Sequence, residues 1–136
     1  MSSTSILKIS NLEEASRKYE KLLLSKPEVK KVKRGGCDVR FITQDKTEVE
    51  LVTTYSFKTG FFGKEKTVVV TLPLKREANG DYAGRIDESF FRILVNKKGN
   101  FEEEWSGTLE EARGKIPDIV NAYLEDINDL KAQLSG

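Results

Sequence analysis

The sequence predicts an α+β fold in which an N-terminal helix precedes an antiparallel meander sheet of five or six strands, and a long C-terminal helix packs on that sheet. Apolar residues recur every three or four positions near both ends of the chain, which is the spacing of a helix. Residues 37–95 instead alternate with a period of two and are rich in Val, Ile, Thr, Phe and Tyr. At 136 residues and 38% hydrophobic, the chain fits one domain, residues 1–136, with one core.

The first helix is expected directly after a short strand at residues 5–9. Asn11 and Glu14 stand three apart, as in a capping box, so the helix should begin at Leu12. Lys26 precedes Pro27 and should end the helix, because the residue before a proline avoids the α region. The apolar face of this helix comprises Leu12, Ala15, Tyr19, Leu22 and Leu23.

Gly35-Gly36 predicts a break in the chain before the sheet begins. Five strands are expected, at Cys37–Thr43, Thr47–Phe57, Lys66–Leu74, Tyr82–Asp87 and Phe90–Val95, with a sixth at Phe101–Trp105. Turn residues separate them at 44–46, 79–80 and 97–100. Because every connection is short, consecutive strands should pair antiparallel as a meander.

A capping box at Thr108 and Glu111 predicts that the chain closes with helix. Beyond Pro117 the apolar residues follow a 4, 3, 4, 3, 4 spacing, and this apolar seam comprises Ile116, Val120, Tyr123, Ile127, Leu130 and Leu134. The favoured interpretation is that the seam packs on the open face of the sheet, because the repeat is shorter than a typical coiled coil. The alternative is a zipper-like homodimer through the same seam.

The order of elements, with Lys115–Asn121 at the entry to the last helix, resembles the helix-grip fold of START-type lipid-binding and polyketide-cyclase-like proteins. That resemblance implies a curved sheet that grips the last helix around an apolar pocket. Candidate lining residues are Tyr55, Phe57, Phe91, Ile93, Trp105, Val120 and Tyr123. The layout is also similar to small single-stranded-nucleic-acid binders built of a sheet plus helices. A filled core is the ordinary alternative to a pocket.

The chain contains no histidine, which excludes Ser–His and Cys–His nucleophile pairs and His-ligated metal sites. No Gly-rich phosphate-binding motif is present either. We therefore expect a non-enzymatic protein without cofactor or metal. One cysteine, Cys37, rules out an intrachain disulfide, and no long apolar run or secretory signal is evident, so a cytoplasmic location without membrane association is expected.

Charge and aromatic residues concentrate in two stretches of the first half. Residues 56–66 hold three phenylalanines and three lysines, and residues 26–34 hold five cations. Residues 1–76 carry 16 Lys/Arg against 9 Asp/Glu, a net charge of +7, whereas residues 77–136 carry 7 against 13, a net charge of −6. This asymmetry indicates either a polyanionic partner for the first half or pairing of the two halves in the fold or in an oligomer.

The leading hypothesis is a basic and aromatic face that binds single-stranded DNA or RNA, in which lysines neutralise phosphates and phenylalanines stack on bases. The candidate residues are Lys30, Lys31, Lys33, Arg34, Phe57, Lys58, Phe61, Phe62, Lys64 and Lys66. Alternatively, the phenylalanines of the loop fold back under the sheet and the lysines form a solvated surface. Two other functions stay open, a helix-grip type apolar-ligand binder and a regulatory adaptor that acts as a homodimer.

Overall fold

The computed structural model describes residues 5–28, 31–58 and 63–135. Its elements are β1 (Ile6–Ile9), α1 (Leu12–Ser25), β2 (Lys33–Phe41), β3 (Glu48–Lys58), β4 (Glu65–Arg76), β5 (Tyr82–Arg85), a 3-10 turn (Ile86–Glu88), β6 (Phe90–Lys97), β7 (Asn100–Thr108), α2 (Leu109–Lys115) and α3 (Pro117–Ser135). The predicted α+β layout is confirmed, and the described residues form seven strands in place of five or six.

Strands β2, β3, β4, β6 and β7 are successive antiparallel neighbours in the sheet. The long β4 has β3 along one side, while its other side pairs first with β6 and then, at Lys75 and Arg76, with β5. Strand β5 continues the sheet to β1. The meander prediction is therefore wrong between β5 and β6, because the buried Ile86 turns the chain there and donates its backbone N–H to Ser5.

The Gly35-Gly36 pair lies inside a strand, so the predicted break is also wrong. Strand β2 begins at Lys33 and carries a β-bulge, seen as a register shift between Arg34 and Gly36. A Cβ atom on Gly35 would lie 3.0 Å from the carbonyl oxygen of Thr54, so the glycine allows β2 and β3 to approach closely.

Helix α1 begins at Leu12 as predicted, with the Asn11 side chain accepting a hydrogen bond from the Glu14 N–H. Helices α1 and α3 cover one face of the sheet and bury a single hydrophobic cluster. The seam residues of α3 are buried in that cluster except Leu134, which packs against it and is half-buried. Tyr123 meets Phe91 of β6 edge-on, with ring centroids 5.5 Å apart.

This burial confirms the favoured interpretation of the apolar seam, that α3 packs on the sheet. A homodimer through the seam stays a prediction, and it would compete with the packing inside one chain.

A buried ionic cluster connects α3 to β2, β3 and the end of α1. Asp126 of α3 has no exposed surface, and its two carboxylate oxygens accept hydrogen bonds from Nε and Nη2 of Arg34 at 2.7 and 2.9 Å. The Tyr55 hydroxyl donates to the same carboxylate at 2.8 Å, and Nζ of Lys26 lies 3.0 Å from it. Arg34 also donates to the carbonyl oxygen of Pro27.

The cluster therefore joins the end of α1, the start of β2, the middle of β3 and the centre of α3. Partial burial lowers the pKa of Lys26, but hydrogen bonds to Asp129 and Asp126 outweigh this effect and raise it. Lys26, Arg34 and Asp126 also pair the basic half of the chain with the acidic half, which was one of the two explanations of the charge asymmetry.

Asp126→Asn should lower the free energy of unfolding by about 3–5 kcal/mol, because it leaves the buried Arg34 guanidinium without its counter-charge. Urea denaturation measures this change. The matched control is Asp129→Asn, one turn away and half-exposed, which should cost less than about 1 kcal/mol. Equal losses in the two variants would contradict a structural role for the buried pair.

Three fully buried tyrosines should make the protein unstable at alkaline pH. Burial raises the pKa of Tyr19, of Tyr55 and of Tyr123 above the ordinary value. Above about pH 10 the unfolded chain therefore releases three protons that the folded chain keeps, and each costs about 1.4 kcal/mol of stability per pH unit. The free energy of unfolding should begin to fall at about pH 8.5, where the Cys37 thiol, whose pKa burial also raises, ionises in the unfolded chain, and should fall more steeply above about pH 10.

Denaturant titrations at a series of alkaline pH values test the effect. Tyr19→Phe, which removes one hydroxyl and its hydrogen bond to Thr53, should reduce the part of the slope that the three tyrosines contribute by about a third. An unchanged slope would show that Tyr19 does not contribute.

Candidate nucleic-acid interface

One end of the sheet collects chain segments that are far apart in sequence. Lys33 at the start of β2 pairs with Ser56 near the end of β3, and Lys66 near the start of β4 pairs with Val95 near the end of β6. The end of β3, the start of β4, the β6–β7 turn and the start of β2 therefore meet at this end. The start of α3 joins them, because Pro117 lines a groove together with Phe57.

Seven exposed lysines surround this end, which we call the lysine-rich end: Lys31, Lys33, Lys58, Lys64, Lys97, Lys98 and Lys115. Within the described ranges, Lys97 has an ion pair, at 3.6 Å from Glu102, and the other six have none. Their positive charge is thus available to an anionic partner.

Two adjacent open grooves share Lys31, Phe57 and Lys58. One has a volume of about 320 Å³ and extends toward Lys33, Ser56, Glu28 and Glu65. The other, of about 330 Å³, extends along the junction between α2 and α3. Phe57 is half-buried and packs against the hydrophobic core, so its ring is fixed while it lines both grooves. A fixed aromatic ring between cations is the arrangement on which an unpaired base can stack.

A third groove, of about 520 Å³, is lined by Lys64, Lys97, Lys98, Asn100 and Glu102. Lys98 and Gly99 form the two-residue β6–β7 turn with φ angles of 53° and 87°. Positive φ at both central positions is the type I′ geometry, for which Asn or Gly is the usual first residue. Lysine is unfavourable there, so the turn gives up some stability to present a cation.

The structure brings together Lys31, Lys33, Phe57, Lys58 and Lys64 of the predicted site. It gives Arg34 a different role, because its side chain is only 5% exposed and is bonded to Asp126. Lys66 is likewise engaged, 2.7 Å from Glu104 of β7.

Lys30, Phe61 and Phe62 lie outside the described residues. Their part in the predicted interface stays a prediction.

Sequence reasoning missed Lys97, Lys98 and Lys115. The first two were treated only as turn residues, and Lys115 only as part of the entry to the last helix. No local signal in the sequence reveals their position, because in a simple meander β6 would run parallel to β4 and the β6–β7 turn would lie at the opposite end of the sheet. The direct antiparallel pairing of β6 with β4 places this turn beside the start of β4.

Most of the residues predicted to line an apolar pocket lie in the packed core. Tyr55, Phe91, Ile93, Val120 and Tyr123 are each at most 2% exposed and belong to one packed cluster, which supports the filled-core alternative. Trp105 and Phe57 lie at its margin.

Other reactive groups are engaged as well. The glutamates at 102, 103 and 104 each pair with a different cation, and no three carboxylate or thiol groups converge anywhere in the described ranges. Burial raises the pKa of the Cys37 thiol, which donates to the carbonyl oxygen of Ser16. A thiol held in its protonated form is a poor nucleophile.

Among the helices of the described residues, none is long and apolar enough to cross a membrane. Comparisons with protein-family models, with curated proteins and with solved structures gave no significant match. A functional assignment for this chain therefore depends on the geometry and charge of its own residues.

Lys98→Asn should raise the free energy of unfolding by about 0.5–1 kcal/mol, because asparagine tolerates positive φ better than lysine. The same substitution should weaken binding of any polyanion at this end, since it removes one cation. Chemical denaturation and a binding titration on the same preparation separate the two effects. A loss of stability would show that the lysine is not strained at this turn.

Proposed function

We propose that this protein binds single-stranded nucleic acid at its lysine-rich end. The observation that carries the proposal is the set of six exposed lysines that have no ion pair within the described ranges, four of which, Lys31, Lys33, Lys58 and Lys115, line the two grooves that share the ring of Phe57. Phosphates would contact the lysines and a base would stack on Phe57, a combination used by non-specific single-strand binders.

The shape of this end favours a flexible strand over a duplex. The three grooves are open and lie along the tips of hairpins and the α2–α3 junction, with no described helix placed to enter a DNA groove. A single strand can bend between the grooves and expose one base at a time to the half-buried ring.

Acidic residues at the same end limit the affinity for a nucleic acid and restrict where its phosphates can bind. Glu28 and Glu65 line the first groove and Glu102 lines the third, so phosphates are favoured near Lys31, Lys58 and Lys98 and disfavoured beside the carboxylates. We therefore infer moderate, salt-sensitive affinity with weak sequence preference, because no described group is arranged for reading base edges.

Fluorescence-anisotropy titration of labelled single-stranded DNA and RNA at two salt concentrations tests the proposal. Lys58→Ala combined with Lys98→Ala should weaken binding about tenfold and reduce the magnitude of the salt slope by about 1.4, which is two phosphate contacts. The control is Lys8→Ala combined with Lys75→Ala, two exposed lysines that flank Ala83 of β5 at the opposite end of the sheet, which should change neither quantity.

Phe57→Leu should keep the apolar packing yet weaken binding by about 1 kcal/mol with the salt slope unchanged, since stacking is lost but no charge is removed. Absence of binding at low salt, or equal losses in the two lysine pairs, would refute the proposed function.

A further inference from the structure

Strand β2 is the last strand on its side of the described sheet, with β3 as its neighbour on the other side. The Ile42 N–H donates to Glu48 across the β2–β3 ladder at 2.9 Å. Because antiparallel strands alternate the direction of their backbone groups, residues 37, 39 and 41 point theirs away from β3. The Val39 N–H confirms this direction, since it bonds the Asp38 carboxylate at 2.9 Å in place of a strand.

The charges beside this free edge are complementary to those on the same edge of a second copy. An antiparallel pairing of β2 with β2 of a second copy, centred on Val39, places Asp38 opposite Arg40 of that copy and Arg40 opposite its Asp38. These are non-hydrogen-bonded positions, where facing side chains come closest. Within one chain Asp38 and Arg40 are exposed, and Arg40 has only a 3.7 Å contact with Glu50.

The apolar residues at the edge fit the same pairing. Phe41 and Ile42 are 52% and 51% exposed. In a pairing centred on Val39, Phe41 would face Cys37 of the second copy and Ile42 would face Gly36 of that copy. No atom lies within 4 Å of the position that a Cβ atom on Gly36 would occupy, so this space can receive the Ile42 side chain.

We propose that the protein forms a two-fold symmetric homodimer by antiparallel pairing of β2 with β2 of a second copy, centred on Val39. The pairing would form about six inter-chain backbone hydrogen bonds, two at each of three facing pairs, and in each copy one of them would replace the bond from the Val39 N–H to Asp38, which frees that carboxylate for Arg40. Other centres are disfavoured, because an axis at Asp38 or at Arg40 places like charges opposite each other. Because β2 carries both Asp38 and Arg40, β2 of a second copy supplies the opposite charge at each of these positions, and no other partner is needed.

Sedimentation-velocity runs from low micromolar to sub-millimolar concentration test the proposal through a charge swap. Asp38→Arg and Arg40→Asp should each raise the dimer dissociation constant at least about tenfold, because each creates two like-charge contacts. The double variant Asp38→Arg/Arg40→Asp restores both pairs and should return to within about threefold of the unchanged protein. Ser106→Glu on the other edge strand, β7, opposite Arg92, is the control and should leave the dimer dissociation constant unchanged.

A monomer throughout the concentration range would overturn the proposal, as would a dimer that is indifferent to the single changes or is not restored by the double change. A second measurement fixes the register. In a Cys37→Ser background, Val39→Cys should oxidise to a covalent dimer, since facing Cα atoms in such a pair lie within disulfide range. Ser106→Cys in the same background, on β7, should stay monomeric, and failure of Val39→Cys to cross-link would reject the Val39 axis.

Discussion

The buried carboxylate of Asp126 is the constraint on which the arrangement of this molecule depends. An ionised carboxylate without exposed surface is tolerated only when charge and hydrogen bonds surround it, and here two cations and a tyrosine hydroxyl do so. Apolar packing alone would hold α3 on the sheet but would leave its rotation and register loosely defined. The bidentate pair with Arg34 fixes both, since it is directional.

The same pair also fixes the basic surface. Arg34 bonds the carbonyl oxygen of Pro27 while it holds Asp126, so the connection between α1 and β2 is attached at both ends to the core. Lys31 adopts a positive φ of 66° within this connection, as Lys98 does in the β6–β7 turn. Lys46 also has a positive φ, of 62°, in the β2–β3 turn at the opposite end of the sheet, so this conformation accompanies turns in the chain and does not by itself mark the binding surface.

Local signals in the sequence were sufficient for most of the elements. The N-cap residues Asn11 and Thr108 and the proline after Lys26 mark helix ends correctly, because they act over three or four residues. The signal of Gly35-Gly36 was ambiguous, since two glycines suit a loop or a bulge with close backbone approach equally well. Only the neighbouring strand, with the Thr54 carbonyl 3.0 Å from a Cβ on Gly35, decides between them.

The site was harder to predict because charge in a sequence does not indicate burial. Lys33 and Arg34 are adjacent in one basic run, yet the former is exposed and the latter is buried against Asp126. No pattern in the sequence indicates that Asp126, which directly precedes Ile127 of the apolar seam, is buried. Long-range pairing decides these cases. It also decides that Lys97 and Lys98 lie beside the start of β4.

The proposed dimer and the proposed nucleic-acid site use opposite parts of β2, and this sets how they could act together. Lys33 stands six residues before Val39, so in the antiparallel pair the two copies of Lys33 would be about 40 Å apart, at 3.4 Å per residue. The lysine-rich ends would point in opposite directions. A short oligonucleotide would therefore occupy each end independently, whereas a strand long enough to pass around the dimer could engage both and gain avidity from their fixed separation. Dimerisation would thus make the affinity for a single strand depend on the length of that strand, although neither site recognises a base sequence.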